Sequence, residues 1–71
     1  MRVERLVAMV NDIGAFWAAE PDKREAANSV ATHLKRYWDP RMRREIVAHY
    51  REGGAGLDDL ARSGVAILAQ D

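Results

Sequence analysis

The sequence contains no cysteine. Disulfides and thiolate metal sites are therefore excluded chemically. It has two histidines, His33 and His49. They fall on different predicted helices, with no HExxH pattern around them, which argues against a metal centre. Acids and bases balance at 11 each, for a formal net charge of zero. The chain thus lacks the positive excess of a typical nucleic-acid binder. No apolar run approaches the ~20 residues a membrane span needs, so no membrane partner is expected. The start, Met1-Arg2-Val3-Glu4-Arg5, holds an acid and runs directly into a periodic pattern. It does not read as a signal peptide, and a cytoplasmic location is expected.

What is present is helical. The chain has 71 residues, 48% of them hydrophobic, which is the composition of one globular domain rather than of a disordered tail. Residues 1–71 are read as one helical domain. A domain of about 60 residues buries only about 60% of its unfolded surface, so small domains commonly need a staple. With disulfides and metals set aside, the remaining staple is a partner chain.

The apolar spacing follows the i, i+3, i+4, i+7 rule throughout. Val3, Leu6, Val7, Val10, Ile13, Gly14 and Trp17 define a first helix. Glu20-Pro21-Asp22 breaks the pattern, with Pro21 read as a first helical position followed by acids. A second helix carries Ala27, Val30, Ala31, Leu34 and Trp38 on one face, with Tyr37 at its edge. Asp39-Pro40 stops it near Trp38 and starts a third helix, Asp39 as N-cap and Pro40 at the first position. That helix carries Met42, Ile46, Val47 and Tyr50. Gly53-Gly54 supplies the left-handed end. Gly56-Leu57-Asp58-Asp59 leads into a fourth helix with Leu57, Leu60, Ala61, Gly64, Val65 and Leu68 along its stripe. Ser63 and Gly64 make this helix the weakest of the four. No strand-like alternation appears. The expected fold is all-α, a small array of three to four short helices, either self-contained or completed by a partner.

No residue reads as catalytic, cofactor-binding or metal-ligating. Gly53-Gly54-Ala55-Gly56 lacks the Lys-Ser/Thr of a phosphate loop. Ser29 and Ser63 have no recognisable base. Asp58 and Asp59 are adjacent, so on a helix they point about 100° apart and cannot flank one substrate.

The charge is segregated along the chain. Between positions 35 and 51 lie six basic residues (Lys35, Arg36, Arg41, Arg43, Arg44, Arg51) and two acids (Asp39, Glu45), a net of +4, which leaves −4 for the remainder of a neutral chain. An ordinary solvated face is one reading. Position suggests another, because Arg41, Arg43 and Arg44 occupy a first turn, where cations oppose the helix dipole. Arg43 also falls within the apolar arc of its helix. There it requires a carboxylate or carbonyl partner, which is either intramolecular, such as Asp58 or Asp59, or on another molecule. Met9 and Phe16 widen the apolar face of the first helix, to be covered either by a neighbouring helix or by a partner. Trp38 beside Asp39-Pro40-Arg41 is either core or an interface anchor. The candidate partner-binding residues are therefore Trp38, Arg41, Met42, Arg43, Arg44, Met9 and Phe16.

The order of residues carries one more signal. Leu6-Val7-Ala8-Met9-Val10-Asn11-Asp12-Ile13-Gly14-Ala15-Phe16-Trp17 is followed by Pro21-Asp22. Next comes the block His33-Leu34-Lys35-Arg36-Tyr37-Trp38-Asp39-Pro40-Arg41-Met42-Arg43-Arg44, and then Gly53-Gly54-Ala55-Gly56-Leu57. This arrangement resembles the delta subunit of the molybdenum-containing, NAD-dependent formate dehydrogenases. The resemblance spans nearly the whole chain, and the block from Trp38 to Arg43 is its most specific part. Val10 stands where alanine is common in the family, and Trp17 and Tyr37 where phenylalanine is common.

The resemblance implies a non-catalytic accessory subunit of a cytoplasmic complex that oxidises formate and reduces NAD⁺. Its partner would be the catalytic alpha subunit and its complex, and its role the assembly or stability of that complex. Molybdopterin guanine dinucleotide, iron–sulfur clusters and FMN would sit on other subunits, with no cofactor in this chain. The alternative is a transient chaperone for molybdenum cofactor insertion into the apo catalytic subunit.

Overall fold

The computed structural model describes residues 2–70. Four α-helices follow one another: α1 (Val3–Trp17), α2 (Lys23–Tyr37), α3 (Pro40–Arg51) and α4 (Asp59–Gln70). Each boundary has a local cause. Asp22 caps α2 by accepting the amides of Arg24 (3.0 Å) and Glu25 (3.2 Å). The start of α2 therefore differs from the expected one. Pro21 lies outside the helix, and Asp22 sits at the N-cap with extended backbone angles. A side chain that satisfies two free amides defines the boundary more strongly than a residue that merely tolerates it. Asp39 caps α3 as expected, accepting the Met42 amide at 2.9 Å with Pro40 at the first position.

The end of α3 is a Schellman turn. The Gly54 amide reaches the His49 carbonyl at 2.9 Å and the Gly53 amide the Tyr50 carbonyl at 3.1 Å. Both glycines have positive φ, +118° and +64°, a conformation that costs a side-chain-bearing residue about 1–2 kcal/mol. Leu57 lies just ahead of α4 rather than on it, yet is buried. The Asp58 carbonyl accepts the first bond of α4 from the Arg62 amide at 2.8 Å, so of the two acids only Asp59 lies inside the helix.

The core is Leu6, Val7, Val10, Val30, Leu34, Trp38, Ile46, Leu57, Ala61, Val65 and Leu68, drawn from all four helices and their connections. Helix α4 packs on each of the other three, most extensively on α2. Small residues make this possible. A Cβ placed on Gly64 would lie 2.4 Å from Val30 Cγ1 and 2.7 Å from Val30 Cβ. Gly64 is therefore a point of close approach between α2 and α4, and the helix expected to be weakest is a full one. Gly14 plays a milder version of this role, its Cβ position 3.3 Å from the Ala61 amide nitrogen.

The array closes on itself. Its accessible surface is 4630 Å², against roughly 4,450 Å² expected for a monomer of this mass. Its radius of gyration is 10.7 Å, against about 11 Å for a compact chain of this length. The four helices thus form a complete core, and the self-contained form of the two expected architectures is the one observed. Among the described residues no helix is long and apolar enough to cross a membrane.

Candidate functional site

Several basic side chains cross from one element to carbonyl groups at the end of another. Lys23 Nζ donates to the Ala18 carbonyl at the end of α1 (2.6 Å). Arg43 Nη1 donates to the carbonyls of Lys35 (3.0 Å) and Trp38 (2.8 Å) at the end of α2. Arg51 Nη2 donates to Ala69 near the end of α4 (3.1 Å). Beyond the end of α3, Arg62 Nη2 donates to Gly54 (2.9 Å). His49 Nε2 lies 2.8 Å from the Ala55 carbonyl, and because a carbonyl only accepts, this nitrogen carries the proton. A helix C-terminus exposes carbonyls without partners and carries a partial negative charge, so a cation there satisfies both.

This settles the partner of Arg43 within the chain. It is neither Asp58 nor Asp59, as the sequence suggested, but the C-terminus of α2. Asp58 is engaged elsewhere: its amide donates to Asn11 Oδ1 (2.9 Å), while Asn11 Nδ2 donates to the Gly56 carbonyl (2.9 Å). One asparagine on α1 thereby holds both sides of the loop before α4.

The other candidate residues divide into covered and exposed. Trp38 is 5% exposed and belongs to the core, so its ring is not offered at the surface. Met9 and Met42 are half-buried against that core. Arg41 is exposed and paired with Glu45 on its own helix, Nε to Oε1 3.3 Å. Among the described residues Arg44 is exposed and makes no hydrogen bond or ion pair. Phe16 is 76% exposed. Met9 and Phe16, seven residues apart on α1, therefore part company: one is covered by the chain and the other is not.

Phe16 has company that the sequence did not single out. Its ring meets Trp17 edge-on, centroids 5.0 Å apart. On α2, Tyr37 is 70% exposed and stacks at a tilt on His33, one turn away, at 4.8 Å. A shallow cleft lined by Asp12, Ile13, Phe16, Trp17 and His33 shares Trp17 and His33 with a second one that includes Tyr37. Four aromatic rings thus form one continuous face over α1 and α2. The signal available in the sequence was the i, i+4 spacing of His33 and Tyr37. The sequence places Trp17 on the apolar stripe of the first helix and Tyr37 at the edge of the second.

A different face holds a cleft of ≈ 660 Å³ between the end of α2, α3 and the end of α4. It is lined by Lys35, Arg43, Arg44, Val47, Ala48, Arg51, Leu68 and Ala69. Among the described residues no group of three or more His, Cys, Asp or Glu side chains is arranged to hold a metal ion.

A comparison with known families matches residues 5–65 to the family model described as NADH-dependent formate dehydrogenase delta subunit FdsD. No curated protein and no solved structure matches the chain.

Proposed function

The chain belongs to the delta-subunit family of the NADH-dependent formate dehydrogenases, and from that premise we propose that it is a non-catalytic accessory subunit, docked on the catalytic alpha subunit and supporting assembly or stability of the complex in the cytoplasm. The observation that carries this reading is the pair Phe16 and Tyr37, 76% and 70% exposed on a chain whose own core is complete. Two large rings beside Trp17 and His33 make an aromatic face of the kind that anchors protein interfaces. Met9 and Met42 support the adjoining surface, and Arg41 and Arg44 supply exposed charge. Trp38 serves the docking surface indirectly, at the junction of α2 and α3 that Arg43 ties together. With no cysteine in the chain, the thiolates of any iron–sulfur cluster in the complex would come from other subunits, and the molybdenum cofactor and flavin are assigned to those subunits on the same reading.

Co-expression of the tagged chain with the other subunits tests this. The wild-type chain is expected to co-purify with the alpha subunit at a fixed ratio in cofactor-loaded enzyme. Replacing Phe16 and Tyr37 by serine is expected to abolish that co-purification while leaving the isolated chain folded. Recovery of the chain only with cofactor-free alpha subunit would replace the structural role with transient chaperoning of cofactor insertion. Undiminished co-purification of the double variant would remove the aromatic face from the docking surface.

A further inference from the structure

Among the described residues, the cleft between α3 and α4 is lined by four cations and four apolar groups, with no acid. On α3, Arg43, Arg44, Val47, Ala48 and Arg51 stand at i, i+1, i+4, i+5 and i+8, which is one face of the helix. Lys35 comes from the last turn of α2, and Leu68 and Ala69 from the last turn of α4. Arg43 and Arg51 are held in place. The guanidinium of Arg43 is tied to two carbonyls and that of Arg51 to one. Each guanidinium carries five N–H donors, so these bonds fix the groups and leave further donors for an anion. A cation already immobilised loses little side-chain entropy on binding.

We propose that this cleft receives an acidic segment of another subunit of the complex, with carboxylates on Arg43, Arg44 and Arg51 and an aliphatic side chain on Val47, Ala48 and Leu68. This rests on the accessory-subunit reading. Charge complementarity selects an acidic partner. The apolar floor selects a peptide over a free phosphate, because a hydrated phosphate gains nothing from Val47 and Leu68. The backbone at the cleft points the same way. The main-chain groups engaged there are the carbonyls of Lys35, Trp38 and Ala69, whereas phosphate sites are built from amide N–H groups.

Two experiments test it. The nitrogen-labelled full chain is titrated with the capped peptide EELLEEL, with KKLLKKL, and with inorganic pyrophosphate, following amide shifts by NMR. The acidic peptide is expected to shift the amides of Arg44, Val47, Ala48, Leu68 and Ala69. Affinity is expected to fall about tenfold on Arg44→Glu, and to fall as salt rises from about 50 to about 300 mM. Arg44 has no partner among the described residues, so Arg44→Glu leaves the fold intact, which circular dichroism checks. An equal response to pyrophosphate would make this a phosphoryl-anion site and overturn the proposal, as would no shift at these amides with the acidic peptide.

In the co-expressed complex, Arg44→Glu is expected to lower retention of the chain about tenfold at the higher salt. If the wild-type chain co-purifies and Arg44→Glu does so equally, the cleft proposal falls and the accessory role stands. If the wild-type chain does not co-purify although its cleft binds EELLEEL, the accessory role falls instead.

Discussion

Replacing Arg43 by alanine removes the cap on α2, and the size of the loss follows from its two bonds. The bond to Lys35 is exposed, so water can take its place and little is lost. The bond to Trp38 is 2.8 Å long and partly buried, where a charged donor contributes about 1.5 kcal/mol or more. Favourable placement at the negative end of α2 adds about 0.5 kcal/mol. Arg43→Ala is therefore expected to destabilise the chain by about 2 kcal/mol, a large fraction of the ~4–10 kcal/mol typical of 71 residues. At an unfolding entropy of about 2.1 cal/mol/K per residue, this lowers the melting temperature by roughly 13 °C. Urea and thermal melts followed by circular dichroism at the helical band measure it.

Two variants control the reasoning. Arg43→Lys keeps the charge, but its side chain ends one bond short of the Nη1 that makes both carbonyl bonds, so it should recover about half of the loss. Arg44→Ala changes an exposed arginine without a partner and should stay within about 0.5 kcal/mol of the parent. If Arg43→Ala is no more destabilising than Arg44→Ala, the two carbonyl bonds contribute nothing and the capping argument fails.

Gly64→Ala gains about 1 kcal/mol of helix propensity, yet it should destabilise by about 1–2 kcal/mol net in a urea melt, because its Cβ collides with the Cβ of Val30 and forces α2 and α4 apart; a more stable variant would show that the helices are not in close contact there. Asn11→Ala should cost about 1 kcal/mol and speed hydrogen exchange at the Asp58 amide, its direct partner; unchanged exchange would mean the loop is held by Leu57 alone. Phe16→Ala and Tyr37→Ala should each alter stability by less than about 0.5 kcal/mol while reducing co-purification with the alpha subunit. A large loss of stability in either would place that ring in the core.

The helices and their order were legible because their punctuation is chemical. Asp39-Pro40 and Gly53-Gly54 do in space what their side chains, or lack of them, oblige them to do. The buried stripes of α1, α2 and α4 were legible for the same reason, since a 3.6-residue period fixes which side chains share a face. Period says nothing about what lies across from that face. Met9 and Phe16 share a side of α1, but only Met9 has chain packed over it. Gly64 read as a weakness along the helix axis, and it is a contact point perpendicular to that axis. Trp38 sits one residue past α2, where the chain turns and carries the ring inward, so its burial depends on the turn and not on a stripe.

The arginines show most clearly what a one-helix reading leaves out. Judged against α3 alone, cations at positions 41 and 43 oppose the dipole in the first turn, at about 0.3–1 kcal/mol each, whereas Arg44, expected in that turn, is the fifth residue and lies beyond it. Arg43, however, lies at the C-terminus of α2, and there the same charge is favourable. The unfavourable placement in one helix is the favourable cap of its neighbour. Arg41 is accounted for more weakly, by an exposed pair with Glu45 that contributes at most about 0.5 kcal/mol. Arg44 has no such explanation within the described chain. It stands at the fifth residue of α3, exposed, on the wall of a cleft already lined by three other cations. What sets Arg44 apart is the company of three other cations around one apolar floor, and the carboxylates of the proposed acidic segment would relieve that like-charge crowding.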